Sequence, residues 1–247
     1  MKGFITAIRT LTVIPFPGDE SDDFSEALPW FSAVGFIIGM ILFLFAALWN
    51  AMPFDKWTWG CAAILAVLSI WLTRGLHTDG LADWADSLGG FSRERRLEIM
   101  KDSSSGAFGV MAIVLVVLLK VIAFERILAS GTFYFIIAIP AISRCMLVEL
   151  QATMPYARSE EGMAGVFIKN AKEHHRAIAH VTAVVFSFVL GLIGPVLYLS
   201  ALAVTLILKG MFRRQFNGVT GDLLGATNEI LEVVLLIMVA IPGAALV

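Results

Sequence analysis

The densest chemistry in the chain is the stretch His77-Thr-Asp79-Gly-Leu-Ala-Asp83-Trp-Ala-Asp86. On a helix, Asp79, Asp83 and Asp86 stand at i, i+4 and i+7, so their carboxylates share one face. Like charges at that spacing repel and destabilise the helix, which calls for a compensating cation. A hard divalent ion such as Mg²⁺ takes carboxylate oxygens and completes its shell with water and phosphate oxygens. A solvated acidic face would show the same spacing. No lysine is interleaved among these aspartates, and we read a metal site.

Downstream, Arg93, Arg95, Arg96 and Lys101 supply cations, and the three arginines read first as anchors at a membrane face. Asp102-Ser103-Ser-Ser-Gly-Ala-Phe-Gly109 then opens an apolar run. Ser or Asp there can cap a helix whose N-terminus attracts anions, and Asp102 fits either that role or a catalytic one. Arg144, beside Ser143, lies inside another apolar run, where a charge faces a cavity or a partner. We read it as an anion ligand, with Glu149 at i+5 as the alternative ion-pair partner. Lys120 reads as snorkelling toward the end of its run. Tyr156-Ala-Arg158-Ser-Glu-Glu-Gly162 and Thr220-Gly-Asp222 read as small-residue loops. His174, His175 and His180 read as surface residues, and Cys61 and Cys145 as buried free thiols.

Apolar runs must position these groups. Hydrophobic residues make up 58% of the 247 residues and charged residues 15%, against roughly 25% charged in a soluble domain. Mean hydropathy is +0.84. A soluble globular enzyme, a disordered chain and a secreted disulfide scaffold are excluded, and a net charge of −2 gives no sign of a nucleic-acid partner. No signal-peptide pattern is evident. Residues 1–11 predict an amphipathic helix through Phe4, Ile5, Ile8 and Leu11. Spans are predicted over residues 30–49, 57–72, 106–124, 132–150 and 229–247. Residues 181–208 carry no charge, and as one helix they would reach about 42 Å, longer than the roughly 30 Å hydrocarbon core. Gly194-Pro195 at their middle predicts a hairpin. Lys and Arg number two in residues 1–29, five in 74–105, four in 151–176 and three in 209–228. The hairpin puts all four segments on one face, which the positive-inside rule makes cytoplasmic. The expectation is an all-α, polytopic helical bundle of about seven transmembrane helices, one integral membrane domain over residues 1–247. It lies in the plasma membrane among lipid, its acidic metal site faces the cytoplasm, and a homo-oligomer is compatible with it.

These residues resemble the adenosylcobinamide-GDP ribazoletransferase family, also called cobalamin-5′-phosphate synthase. The matching stretches are Gly75-Leu-His-Thr-Asp-Gly-Leu-Ala-Asp83 with Asp86, and Ile99-Met-Lys-Asp-Ser103 with Gly106 and Gly109. Ile142-Ser-Arg144, Tyr156-Ala-Arg158 to Gly162, Val166-Phe-Ile168, Thr220-Gly-Asp-Leu-Leu-Gly225 and the opening from Arg9 to Pro17 also match. Thr78 and Ser104 depart from the pattern. The resemblance implies transfer of α-ribazole, or its 5′-phosphate, onto GDP-activated adenosylcobinamide with loss of GMP, dependent on Mg²⁺. It implies Asp79, Asp83 and Asp102 as catalytic residues, and those three with Asp86 as metal ligands. His77, Lys101, Ser103, Arg144, Tyr156, Arg158 and Asp222 are implied at the substrates.

The family is similar to the CDP-alcohol phosphotransferases, but their D-x-x-D-G-x-x-A-R pattern is not met, since Leu76, Asp83 and Trp84 replace three of its residues. Two other readings compete: a phospholipid head-group transferase with the same metal chemistry, and a transporter in which Arg144 and Asp102 line a permeation path. The acidic residues collect at one membrane face, which favours an enzyme.

Overall fold

The computed structural model describes residues 1–53, 57–102, 104–158 and 162–242. Among these, the chain is helical, with no β-structure beyond one bridge between Tyr156 and Val219. Helix α1 (Lys2–Leu11) is amphipathic as its spacing predicts and buries Ile5, Ile8 and Leu11. A 3-10 turn (Phe24–Trp30) leads into the long apolar helix α2 (Phe31–Ala51). Helix α3 (Thr58–Leu72) then meets α4 (Leu76–Ser87) at an angle of 88°. Arg74 (φ 55°) and Gly75 (φ 68°) make that corner in the left-handed region, which a glycine adopts at little cost and which ends a right-handed helix. The corner turns the acidic stretch away from the α3 axis.

Helix α5 (Arg93–Ile99) is short and exposed, and α6 (Ala107–Ala129) is long and apolar. Helix α7 (Ile139–Thr153) follows a 3-10 turn at Phe133–Ile136. Helices α8 (Met163–Lys169), α9 (Glu173–Ser187), α10 (Ile193–Phe216) and α11 (Gly221–Ala240) complete the order. Every residue of α7 from Ile139 to Gln151 is buried, the mark of a helix surrounded by others. Helix α2 packs along α7, and α4, α6 and α7 pack along α11. The outer faces of α6 (Val114, Leu115, Leu118) and α10 (Leu199, Leu206, Ile207) are exposed and apolar, as a surface meant for lipid requires.

The span count differs from the expected seven. Five segments among the described residues are long and apolar enough to cross a bilayer: Phe24–Ala51, Ala107–Ala129, Phe133–Thr153, Ile193–Phe216 and Gly221–Ala240. The bent α3–α4 pair would make a sixth. Helix α9 has 15 residues and so is about 22 Å long, short of the roughly 30 Å core, and its first turn holds Glu173, His174 and Arg176. The expected break between α9 and α10 is present. It falls at Gly191, while Gly194-Pro195 stands in the first turn of α10, where proline's missing N–H leaves nothing unsatisfied. The last helix begins at Gly221, eight residues before its predicted start at residue 229.

Helix α11 carries Asn228, Glu229 and Glu232 into the bundle, all three buried. Lys120 of α6 reaches Glu229 at 2.7 Å and Glu232 at 2.8 Å, and Arg144 of α7 pairs with Glu232. Lys120 does not snorkel: it is 1% exposed. Glu149 is not the partner of Arg144. It takes Arg176 (3.4 Å), His180 (3.1 Å) and Lys209 (3.4 Å) from α9 and α10. The cluster of two cations and two carboxylates is charge-balanced, and removing one member strands a buried charge. Lys120→Met is expected to destabilise the fold by about 3–5 kcal/mol, read as a lower melting temperature in detergent. Adding Glu229→Gln should restore part of the loss, and an unchanged melting temperature for the single variant would refute the pairing.

Candidate functional site

The site is assembled where α4 crosses the first turns of α11. A side chain at Gly80 would stand 2.8 Å from the Asp222 Cα, and one at Gly225 would stand 3.0 Å from the His77 carbonyl oxygen. At Gly80 the backbones approach too closely for a Cβ, and at Gly225 a Cβ would fit only if the neighbouring backbone gave way slightly. This contact sets the acidic face of α4 opposite Asp222. Thr220 caps α11 by accepting the Leu223 N–H at 3.3 Å, the usual service of an N-cap hydroxyl.

The loop before α8 is tied to the loop before α11. The Ala157 N–H donates to the Val219 carbonyl and the Val219 N–H to the Pro155 carbonyl, each at 2.9 Å. Arg158 from the first loop donates to Asp222 Oδ2 at 2.6 Å and to the Met100 carbonyl at 3.2 Å. Arg93 of α5, expected only to anchor the membrane face, clamps both loops. Its Nε donates to the Phe216 carbonyl at 2.7 Å and its terminal nitrogen to the Ala157 carbonyl at 2.8 Å. A planar guanidinium suits two fixed acceptors.

A cavity of about 820 Å³, counted to its open mouth, is bordered by His77, Asp79, Tyr156, Arg158 and Asp222 together. Five of the predicted site residues, drawn from three separate segments, thus meet at one opening. Asp79 also borders a wider groove of about 1430 Å³ with Arg9, Glu20 and Arg74, so it stands on a shared wall. Asp83 is half-buried and borders neither cavity. Asp222, Asp79 and Asp86 act on its carboxylate as like charges, and Arg158 is the opposing cation. The repulsion expected from the i, i+4, i+7 spacing is therefore present and is increased by a fourth aspartate.

Other predicted residues fall elsewhere. Asp86 does not face the cavity: it accepts the Gly106 N–H at 2.6 Å and the Gly109 N–H at 2.8 Å, capping α6 from a different helix. Asp102 is exposed, and the Ser104 hydroxyl (2.6 Å) and N–H (2.9 Å) hold its carboxyl below the usual carboxylate range. Lys101 borders a neighbouring groove with Arg93 and Arg158. Ser103 lies outside the described residues. Arg144 is buried in its pairing with Glu232 and borders neither cavity, so the expected anion ligand stands in the bundle's ionic cluster. Among the described residues, no three His, Cys, Asp or Glu side chains converge as a ready-made metal cage.

Phe167, within the matching stretch Val166-Phe-Ile168, also borders the cavity, as do Gln151, Phe31 and Leu147, three residues that sequence reasoning missed. Nothing in their spacing separates them from core residues. Gln151 alone carried a signal, as a polar residue directly following an apolar run.

Residues 3–240 match the family described as "Cobalamin-5-phosphate synthase". The chain is 42% identical over 239 residues to an adenosylcobinamide-GDP ribazoletransferase of Chlorobaculum parvum, covering 94% of this chain and 92% of that one. A relative of the same name from Chlorobaculum tepidum is 39% identical, with 98% and 96% covered. One from Syntrophobacter fumaroxidans is 38% identical, with 94% and 96% covered. No solved structure matches. Similarity of that extent, running through every segment that builds the cavity, makes this chain a member of the cobalamin-5-phosphate synthase family, an enzyme of cobalamin biosynthesis.

Proposed function

We propose that this chain joins α-ribazole, or its 5′-phosphate, to GDP-activated adenosylcobinamide and releases GMP. The observation that carries the reading is Asp79 on the wall between two cavities, one of which also holds Arg158 and Asp222. A reaction between two large substrates needs two seats that meet at the reacting atoms. A ribose hydroxyl attacks the phosphorus on the cobinamide side of the diphosphate. The new P–O bond forms, the anhydride P–O bond breaks with its electron pair leaving on GMP, and the hydroxyl proton passes to a carboxylate of the aspartate set.

Asp79 and Asp83 would hold the Mg²⁺. The excess of Asp79, Asp83 and Asp222 over the one guanidinium of Arg158 fits a divalent cation, and an ion that uses one or two carboxylates plus substrate phosphates needs no preformed cage. When bound, Mg²⁺ offsets negative charge building on the phosphoryl oxygens. Arg158 offers its guanidinium to the diphosphate, held in place by Asp222 and the Met100 carbonyl. Asp86 supports this set by fixing α6 against α4. A transporter reading finds no support in the buried charges, because Lys120, Arg144, Glu229 and Glu232 neutralise one another. The site faces the cytoplasm of a plasma-membrane enzyme, a placement supported by the basic segments around it.

Asp79→Asn and Asp83→Asn should each lower GMP release from GDP-cobinamide plus α-ribazole by about two to three orders of magnitude, with unchanged insertion and melting temperature. Near-native release from either at saturating Mg²⁺ would sink the metal assignment. Arg93→Ala should lower kcat about 10- to 100-fold through misplacement of Arg158 and Asp222, with little loss of thermal stability. Arg93→Lys should recover little, since an ammonium cannot span both carbonyls. For orientation, single cysteines at Ser104 and Ser130, placed in a background without Cys61 and Cys145, report the two ends of α6. Ser104→Cys should react with an impermeant maleimide only after the membrane is opened, and Ser130→Cys in intact cells. The reverse pattern would invert the topology.

A further inference from the structure

Among the described residues, three that border the cavity have a buried polar atom with no partner: Arg158 at Nε, Gln151 at Oε1 and His77 at Nδ1. The Gln151 and His77 side chains are deeply buried, at 4% and 3% exposure. A buried polar atom left unpaired is costly, so such atoms on residues at a cavity wall mark where a ligand's polar atoms belong. Around them the wall is apolar. Leu147 lies one turn before Gln151 on α7, Leu224 comes from α11, and Phe31 and Phe167 pack edge to face at 5.8 Å. Phe24 backs Phe167 at 5.5 Å.

The geometry points to this cavity as the seat of the α-ribazole nucleoside, with Gln151 as the residue that recognises it; the inference rests on the transferase reading. α-Ribazole is a benzimidazole riboside, whose base has a hydrocarbon edge and one unsubstituted ring nitrogen. The aromatic and leucine wall covers such a base, and Gln151 accepts a ribose hydroxyl or, with its amide turned, donates to the ring nitrogen. Guanine, the other base in the reaction, fits less well. Its edge carries several donor and acceptor groups, each needing a partner when buried, whereas Leu147, Leu224, Phe31 and Phe167 present hydrocarbon. The corrinoid ring is too large for the enclosed part and belongs in the wider Arg9–Arg74 groove.

The test is steady-state GMP release in detergent, varying each substrate with the other saturating. Gln151→Met keeps the length and removes both polar atoms. It should raise the KM for α-ribazole about three- to tenfold, leaving the KM for GDP-cobinamide and the melting temperature unchanged. Phe167→Leu should show the same selectivity, which keeps the test open should the first variant fold poorly. Calorimetric titration of α-ribazole into the wild-type protein and Gln151→Met, without the second substrate, should show the same loss of affinity. A rise confined to the KM for GDP-cobinamide would place guanosine in the cavity and overturn the assignment, as would unchanged KM values for both variants. Failure of the transferase reading looks different: the wild-type protein would then release no GMP from the pair, and the titration would still decide whether the cavity binds the nucleoside.

Discussion

The crossing of α4 over α11 is so close that a methyl group at Gly80 would collide with the opposite backbone and one at Gly225 would press against it, and the rest of the site depends on that distance. It places Asp79 and Asp83 opposite Asp222, and through Asp222 it brings in Arg158. A helix crossing held apart by ordinary side chains sits 8–10 Å between axes. Side chains in place of these glycines would push α4 and α11 apart and draw the α4 aspartates away from Asp222 and Arg158. The glycines are thus as much a part of the metal-binding proposal as the carboxylates.

Beneath that crossing, the bundle contains Lys120, Arg144, Glu229 and Glu232 on α6, α7 and α11. Charges in an apolar interior are expensive singly and tolerable when balanced and hydrogen-bonded. The balance here has a geometric effect. Glu232 accepts from two helices at once, so sliding α6 or α7 along α11 by one turn would strand at least one charge. The cluster therefore locks the register of the three helices whose ends frame the site. The second ionic group, around Glu149, does similar work for α9 and α10.

At the membrane face the charge is not balanced. Asp79, Asp83 and Asp222 lie near one another with Arg158 among them, while Asp86 and Asp102 are satisfied by local N–H and hydroxyl donors. Folding has left the excess negative charge at the cavity and removed it from the flanks. This asymmetry is what a phosphoryl-transfer site needs, because its ligands bring both anionic phosphate and the cations that accompany it.

Much of this was legible from local pattern. Hydropathy and charge determined that the chain is helical and apolar enough for a membrane, the amphipathic α1 followed from its spacing, and the shared face of Asp79, Asp83 and Asp86 followed from helical periodicity. The Tyr156, Arg158 and Asp222 loops and His77 were marked by the family resemblance. What the sequence could not determine are matters of partner and distance. That Asp86 caps α6, that Arg144 and Lys120 share Glu232, that Arg93 clamps two loops, and that Gln151 borders the cavity all join residues more than 20 positions apart or on different helices. Periodicity reports which face of a helix a residue occupies. It holds no information about which other helix that face meets, and only the tertiary packing decided that.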